Sequence, residues 1–272
     1  MTTSDADPPT EPAVPPPPSA PPDPASARLA LACRGAAAAL PATFASTFLR
    51  LALVHGTLAA GTLIFANAAD PDAAEPDFAF AVWTGWIAPF AEDVAFWFCL
   101  AFAARRSAGA ASFSPRGAAV GIASCLLAGG LWKCVTYGSS ALIARVLPPG
   151  GWMDNPLLWF AAATALRAVH ALGMFGPAAA TVEGLAPLAA LKRGLSLAVG
   201  IAVAAGFAWT VVRAAAAWTA AELTAAWFAG PAWGDYAGAL GTYALLSCAC
   251  DALRASLVGG AYAALTRRPA AE

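Results

Sequence analysis

Long runs of apolar side chains, each broken by a short cluster of charges, prolines or glycines, set the pattern of this chain after its first 26 residues. Six runs are long enough to cross about 30 Å of hydrocarbon at roughly 1.5 Å per helical residue. They fall near 44–67, 80–103, 117–141, 157–181, 195–219 and 237–261, and the Ala-rich sequence after the fifth allows it to continue toward Trp227. The predicted fold is all-α: a polytopic transmembrane helix bundle of about six spans, preceded by a disordered proline-rich tail. Residues 1–26 form the tail, 27–268 the six-span domain and 269–272 a short C-terminal tail. The first 26 residues carry almost no large apolar side chains and include Pro15-Pro16-Pro17-Pro18 and Pro21-Pro22-Asp23-Pro24, so they cannot nucleate a core. Acids and prolines stand where a secretory signal has basic and apolar regions, and the tail is expected to be retained.

The charged residues that separate the runs alternate in sign. Arg28, Arg34 and Arg50 precede or enter the first run; Arg105, Arg106 and Arg116 follow the second; Lys192 and Arg193 precede the fifth; Arg267 and Arg268 follow the sixth. The intervening loops carry Asp70, Asp72, Glu75 and Asp77, then Pro148-Pro149-Gly150-Gly151 with Asp154, then Gly230-Pro231 and Asp235. Basic loops are retained in the cytoplasm, which puts both termini there and the protein in a bacterial cytoplasmic membrane as a multi-pass protein. Trp83, Trp86, Trp152, Trp159, Trp227 and Trp233 fall near the opposite ends, where indole rings favour the interface. Gly117 with Gly121, and Gly234 with Gly238, have the spacing that lets helix backbones approach.

Composition agrees: 60% of the 272 residues are hydrophobic and 11% charged, against roughly 25% charged in soluble domains. The expected partner is the lipid bilayer. A net charge of −1 without a basic face excludes nucleic acid. The polyproline run suits the aromatic-lined groove of a protein partner, or serves as a spacer. The six cysteines lack CxxC spacing and Cys248 and Cys250 point in different directions on a helix, so neither a metal nor another cofactor is implied. HExxH, GxSxG, GxxxxGK[ST] and GxGD are absent, which speaks against an enzyme.

The candidate functional residues are the polar groups inside the runs: Glu92, Asp93, Lys133, Arg167, His170, Arg213, Asp251 and Arg254. A charge at a helix centre costs about 2.5–3.5 kcal/mol in lipid, so each must face the bundle interior, pair, or line a cavity. Counting inward from the predicted ends places Asp93, Lys133, Arg167, Arg213 and Asp251 in one layer near the midplane. One reading is structural pairing, Asp93 with Lys133 or Asp251 with Arg254 or Arg213. The other is a pocket or path for an anion, a proton or a lipid headgroup, since the cations outnumber the carboxylates. Pro89 frees a backbone carbonyl just before Glu92 and Asp93, while Pro177 reads as an ordinary kink. His55 and His170 are read as packed neutral histidines before proton relays.

Ala190-Leu-Lys-Arg-Gly-Leu-Ser-Leu-Ala-Val-Gly200 and Gly260-Ala-Tyr-Ala-Ala-Leu265 resemble the membrane domain of bacterial glycerophosphodiester phosphodiesterases and related six-span bacterial membrane proteins. That resemblance spans about 80 residues, implies a membrane domain of undefined role, and carries over no catalytic residue, because the family's chemistry resides in a separate soluble domain. The expected function is a non-catalytic integral membrane protein with an accessory, assembly or lipid-associated role. The alternative is a small transporter or channel for an anion or proton-coupled solute, built on the polar layer.

Overall fold

The computed structural model describes residues 24–68, 78–109, 115–146, 155–228, 230 and 233–266. Residues 1–23, the loop acids Asp70 to Asp77 and Asp154, and Trp152, Arg267 and Arg268 lie outside them, as do the side chains of Arg116, Gly117, Gly121 and Trp233; Pro24, Ala25 and Ser26, expected in the tail, open the first helix. The described residues form helices and no strand: α1 (Pro24–Ala68), α2 (Phe78–Val82), a π turn (Trp83–Ile87), α3 (Ala88–Ala108), α4 (Pro115–Val146), α5 (Pro156–Val182), α6 (Pro187–Ala198), α7 (Ala202–Trp227) and α8 (Trp233–Thr266). Five segments are long and apolar enough to cross a membrane: 25–66, 78–108, 156–182, 202–227 and 234–266. This is an all-α, multi-pass membrane protein.

Local sequence explains most boundaries. Asn155 caps α5, its Oδ1 accepting from Leu157 N at 3.0 Å and Leu158 N at 3.3 Å, with Pro156 in the first turn where no amide is needed. The α3 C-terminus ends on Gly109 at φ 70°, a left-handed position that costs glycine nothing. Gly200 at φ 95° separates α6 from α7. The expected fifth span from 195 is therefore corrected: its first residues belong to α6, a separate short helix, and the crossing helix starts at Ala202 and reaches Trp227.

α1 is the larger departure. It runs unbroken for 45 residues through Pro41, a length of about 67 Å and roughly twice the hydrocarbon thickness, where hydropathy marks only 44–67. Its early half is alanine-rich, which favours helix without a strong hydropathy signal. Arg50, expected near a span's start, lies well inside α1 with its guanidinium 3.7 Å from the centre of the Phe102 ring.

α1 and α8 pack antiparallel along a seam in which Gly35 meets Gly260 backbone to backbone and Cys248 donates to Phe48 O at 3.4 Å. α3 lies against both, through Leu51, Leu100, Cys99, Ala252 and Ala255. The same small-residue logic joins α5 to α6 at Gly176 and Gly194, α5 to α7 at Gly206 against Ala168, and α3 to α8 at Gly259 against Ala104. Gly234 and Gly238 do not make such a contact: Gly234 faces open space and Gly238 holds the Phe228 ring.

The two ends of the bundle differ in chemistry. At the end where α1 begins and α8 ends, Arg105 donates to Thr181 O at 3.2 Å, and Glu183 accepts from Arg193 Nε at 3.3 Å and from the Tyr262 hydroxyl. Lys192 and Arg106 are exposed there. Tyr262 is fully buried, so Tyr262→Phe should cost about 1.5–3 kcal/mol by leaving the Glu183 carboxylate short of a donor, measured as a lowered thermal midpoint in detergent. At the other end Trp83 donates from Nε1 to Thr62 Oγ1 at 3.1 Å and lies on Phe65 and Gly61, while Trp86 and Trp227 project outward.

Candidate functional site

The intramembrane polar residues form a band across α1, α3, α4, α5, α7 and α8, divided into three clusters. Pro89 sets the first in place. It stands in the opening turn of α3, and the chain ahead of it widens into the π turn, with Ala88 N donating to Trp83 O. A π turn absorbs the disruption a mid-helix proline causes and leads directly into Glu92 and Asp93.

Those adjacent carboxylates diverge, as neighbours on a helix must. Asp93 turns toward α4, where Lys133 Nζ lies 2.7 Å from Oδ1 and 2.5 Å from Oδ2; the lysine also lies over the Tyr137 ring at 5.3 Å. Glu92 turns toward α1, its Oε1 3.5 Å from His55 Nδ1, and on the other side of the imidazole Asp251 Oδ2 of α8 stands 3.8 Å from Nε2. Histidine 55 is thus held between carboxylates of two other helices.

The cations on α5, α7 and α8 are arranged otherwise. Among the described residues Arg167, Arg213 and Arg254 form no ion pair with a carboxylate, so the expected pairing of Asp251 with Arg254 or Arg213 is corrected. Arg254 packs its guanidinium on Phe96 and Trp209, at 4.8 and 5.4 Å, a cation–π arrangement that replaces a counter-charge in part. Arg167 donates to Thr210 Oγ1 at 3.3 Å; Thr164 donates to the same oxygen at 3.3 Å, and the buried Thr210 hydroxyl donates to Gly206 O at 2.8 Å. Arg213 donates to Ser247 Oγ at 3.4 Å. A guanidinium has five N–H donors, and one hydroxyl apiece leaves most of that capacity unused.

Arg167 and Arg213 line a single cavity of about 310 Å³ together with Trp159, Tyr243 and Ser247. A second cavity of about 180 Å³ lies on the α6 side of Arg167, bounded by Arg254, Trp209 and apolar side chains such as Met174 and Phe175. Arg167 is common to both.

No family model, no curated protein and no solved structure matches this chain. The functional reading therefore rests on the geometry of the band.

Among the sequence-predicted site residues, Glu92, Asp93, Lys133 and Asp251 enter ion-pair geometry, and Arg167, Arg213 and Arg254 line cavities. His170 does not join them: its carbonyl accepts from Trp132 Nε1 at 3.2 Å, and its imidazole makes no hydrogen bond or ion pair among the described residues. The sequence reading passed over Thr210, Tyr243 and Ser247, and read His55 as a packed neutral histidine. Hydroxyls on apolar helices carry no distinguishing signal, and the central place of His55 depends on which helices surround it.

Proposed function

We propose that this protein crosses a bacterial cytoplasmic membrane six times, with α4 as the sixth span and both termini cytoplasmic, and binds an oxyanion between α5, α7 and α8 without catalysis of its own. The ligand group is a phosphate, sulfate or carboxylate, presented by a lipid headgroup or by a free solute. One observation carries the reading: Arg167 and Arg213 share a cavity of about 310 Å³ and, among the described residues, neither is in an ion pair with a carboxylate. Guanidinium groups held in a low-dielectric site with spare donors are the usual means of recognising an oxyanion, and Tyr243 and Ser247 supply hydroxyls on the opposite wall.

The clustering of Arg105, Arg106, Lys192 and Arg193 at one end supports the orientation, and the 32 residues of α4 suffice for a sixth span. The non-catalytic reading also agrees with the resemblance to the membrane domain of glycerophosphodiester phosphodiesterases. Transport of the same anion is the second reading, favoured by the two cavities that meet at Arg167.

The test is thermal unfolding of the full chain in a neutral detergent with added sulfate or with phosphatidylglycerol. Binding should raise the unfolding midpoint, and Arg213→Gln should weaken it about tenfold or more by removing charge-assisted bonds. Without anion, Arg213→Gln should itself shift the midpoint little, since it removes a partly buried charge that is in no direct ion pair among the described residues. Stabilisation by the lipid alone assigns the site to a headgroup; stabilisation by both assigns it to the oxyanion itself. An unchanged midpoint with either ligand, or an equal response from the variant, would refute the proposal.

A further inference from the structure

His55 sits in the last third of α1 with 4% of its side chain exposed, and its Nε2 is buried without a hydrogen-bond partner. The 3.8 Å to Asp251 is too long for a hydrogen bond. Such an orphaned nitrogen is costly when it serves packing alone. Both flanking groups are carboxylates, and they come from different helices. An imidazole between two carboxylates can hold one proton on any of the three, and groups this close take up and release it as a unit.

A cavity of about 200 Å³ reaches this cluster. It is lined by His55, Leu58, Thr62, Glu92, Tyr243 and Ser247, and Thr62 is the residue that receives the Trp83 indole at the aromatic end. From His55 to Thr62 is about 10 Å along α1. The cluster therefore faces the end of the bundle opposite the basic loops.

We infer that His55, Glu92 and Asp251 form a proton-binding site entered from the aromatic end, and that its charge governs the arginine cavity through Tyr243 and Ser247. The second half of the inference rests on the oxyanion reading above. Tyr243 and Ser247 line both cavities, and Ser247 accepts from Arg213. The titratable and charged groups around His55 are Glu92 and Asp93 on α3, the latter held by Lys133 of α4; Asp251, Arg254, Cys248 and Tyr243 on α8; Arg213 on α7; and Arg50 one and a half turns earlier on α1. Glu92, Asp93 and Asp251 against Arg50, Lys133, Arg167, Arg213 and Arg254 leave two positive charges in excess when all are ionised and His55 is neutral. A proton on the cluster adds a third, so proton and oxyanion bind with positive cooperativity, each raising the other's affinity by the same factor.

The experiment uses the full chain in lipid nanodiscs, labelled with ¹⁵N-histidine. With two histidines in the sequence, His170→Gln assigns the His55 signals. They should shift as the pH is varied, and Glu92→Gln should move that transition. Sulfate, whose own charge is constant across the transition, should bind about tenfold tighter on its acidic side, a gain abolished by His55→Gln and altered by Glu92→Gln. His55 signals that ignore both pH and Glu92→Gln overturn the proton site. A normal His55 titration with sulfate affinity that does not follow pH overturns the coupling. His55 titration without any sulfate or phosphatidylglycerol binding leaves the proton site standing and overturns the oxyanion reading instead.

Discussion

Lys133→Met should destabilise the protein by about 1.5–3 kcal/mol, because it removes the charged donor that the half-buried Asp93 carboxylate accepts from. The ammonium lies 2.5 Å from Asp93 Oδ2, and both side chains are about 30% exposed. The loss should appear as a lowered unfolding midpoint in detergent and a smaller folded fraction in membranes. Combining it with Asp93→Asn should recover most of the stability, since neutralising both partners removes the orphaned charge together with the attraction. A double variant no more stable than Lys133→Met would show that the two residues are energetically independent, and the pair could not then be what holds α3 on α4. Oxyanion binding in the double variant should remain, because Arg167 and Arg213 lie in a different cluster.

Gly260→Val should break the α1–α8 seam. A β-carbon at Gly260 would stand 2.5 Å from Gly35 O and 2.5 Å from Ala39 Cβ, and one at Gly35 would stand 2.6 Å from Gly260 O. The colliding atoms are largely backbone, so relief requires the helices to separate rather than a side chain to rotate. Overpacking of this kind costs about 1–3 kcal/mol or more, and here it also loosens the packing that holds Asp251 against His55. Gly56→Val is the matched control, since a β-carbon there meets nothing within 4 Å, and its effect should stay within about 0.5 kcal/mol. Equal destabilisation by the two valines would mean that close approach at Gly260 does not set the response, since valine is the better helix former at both positions.

Hydropathy made the helices legible because transfer into lipid is a property of each segment by itself. The runs around 80–103, 157–181 and 237–261 correspond to crossing segments at 78–108, 156–182 and 234–266. The same measure underestimated α1, whose early half is held by alanine and by packing on α8. It also merged α6 with α7, because the break is a backbone event at Gly200 and both flanks are apolar. Glycine spacing misled at Gly234 and Gly238 and gave no hint of Gly35 with Gly260, for close approach depends on which faces meet and the alanine background hides the pattern.

The candidate site divides along the same line. Sequence alone determined which charges would have to be sheltered: the cost of Glu92, Asp93, Lys133, Arg167, Arg213, Asp251 and Arg254 in lipid follows from their chemistry and their place in apolar runs. Only the tertiary structure decided what shelters each one. Lys133 reaches Asp93, His55 is caught between Glu92 and Asp251, and Arg167 and Arg213 are left facing a cavity. Partner choice is a property of helix rotation and neighbour order, fixed by the interlocking of small residues at the α1–α8, α5–α6 and α5–α7 contacts, and no one-dimensional pattern encodes which helix stands beside which.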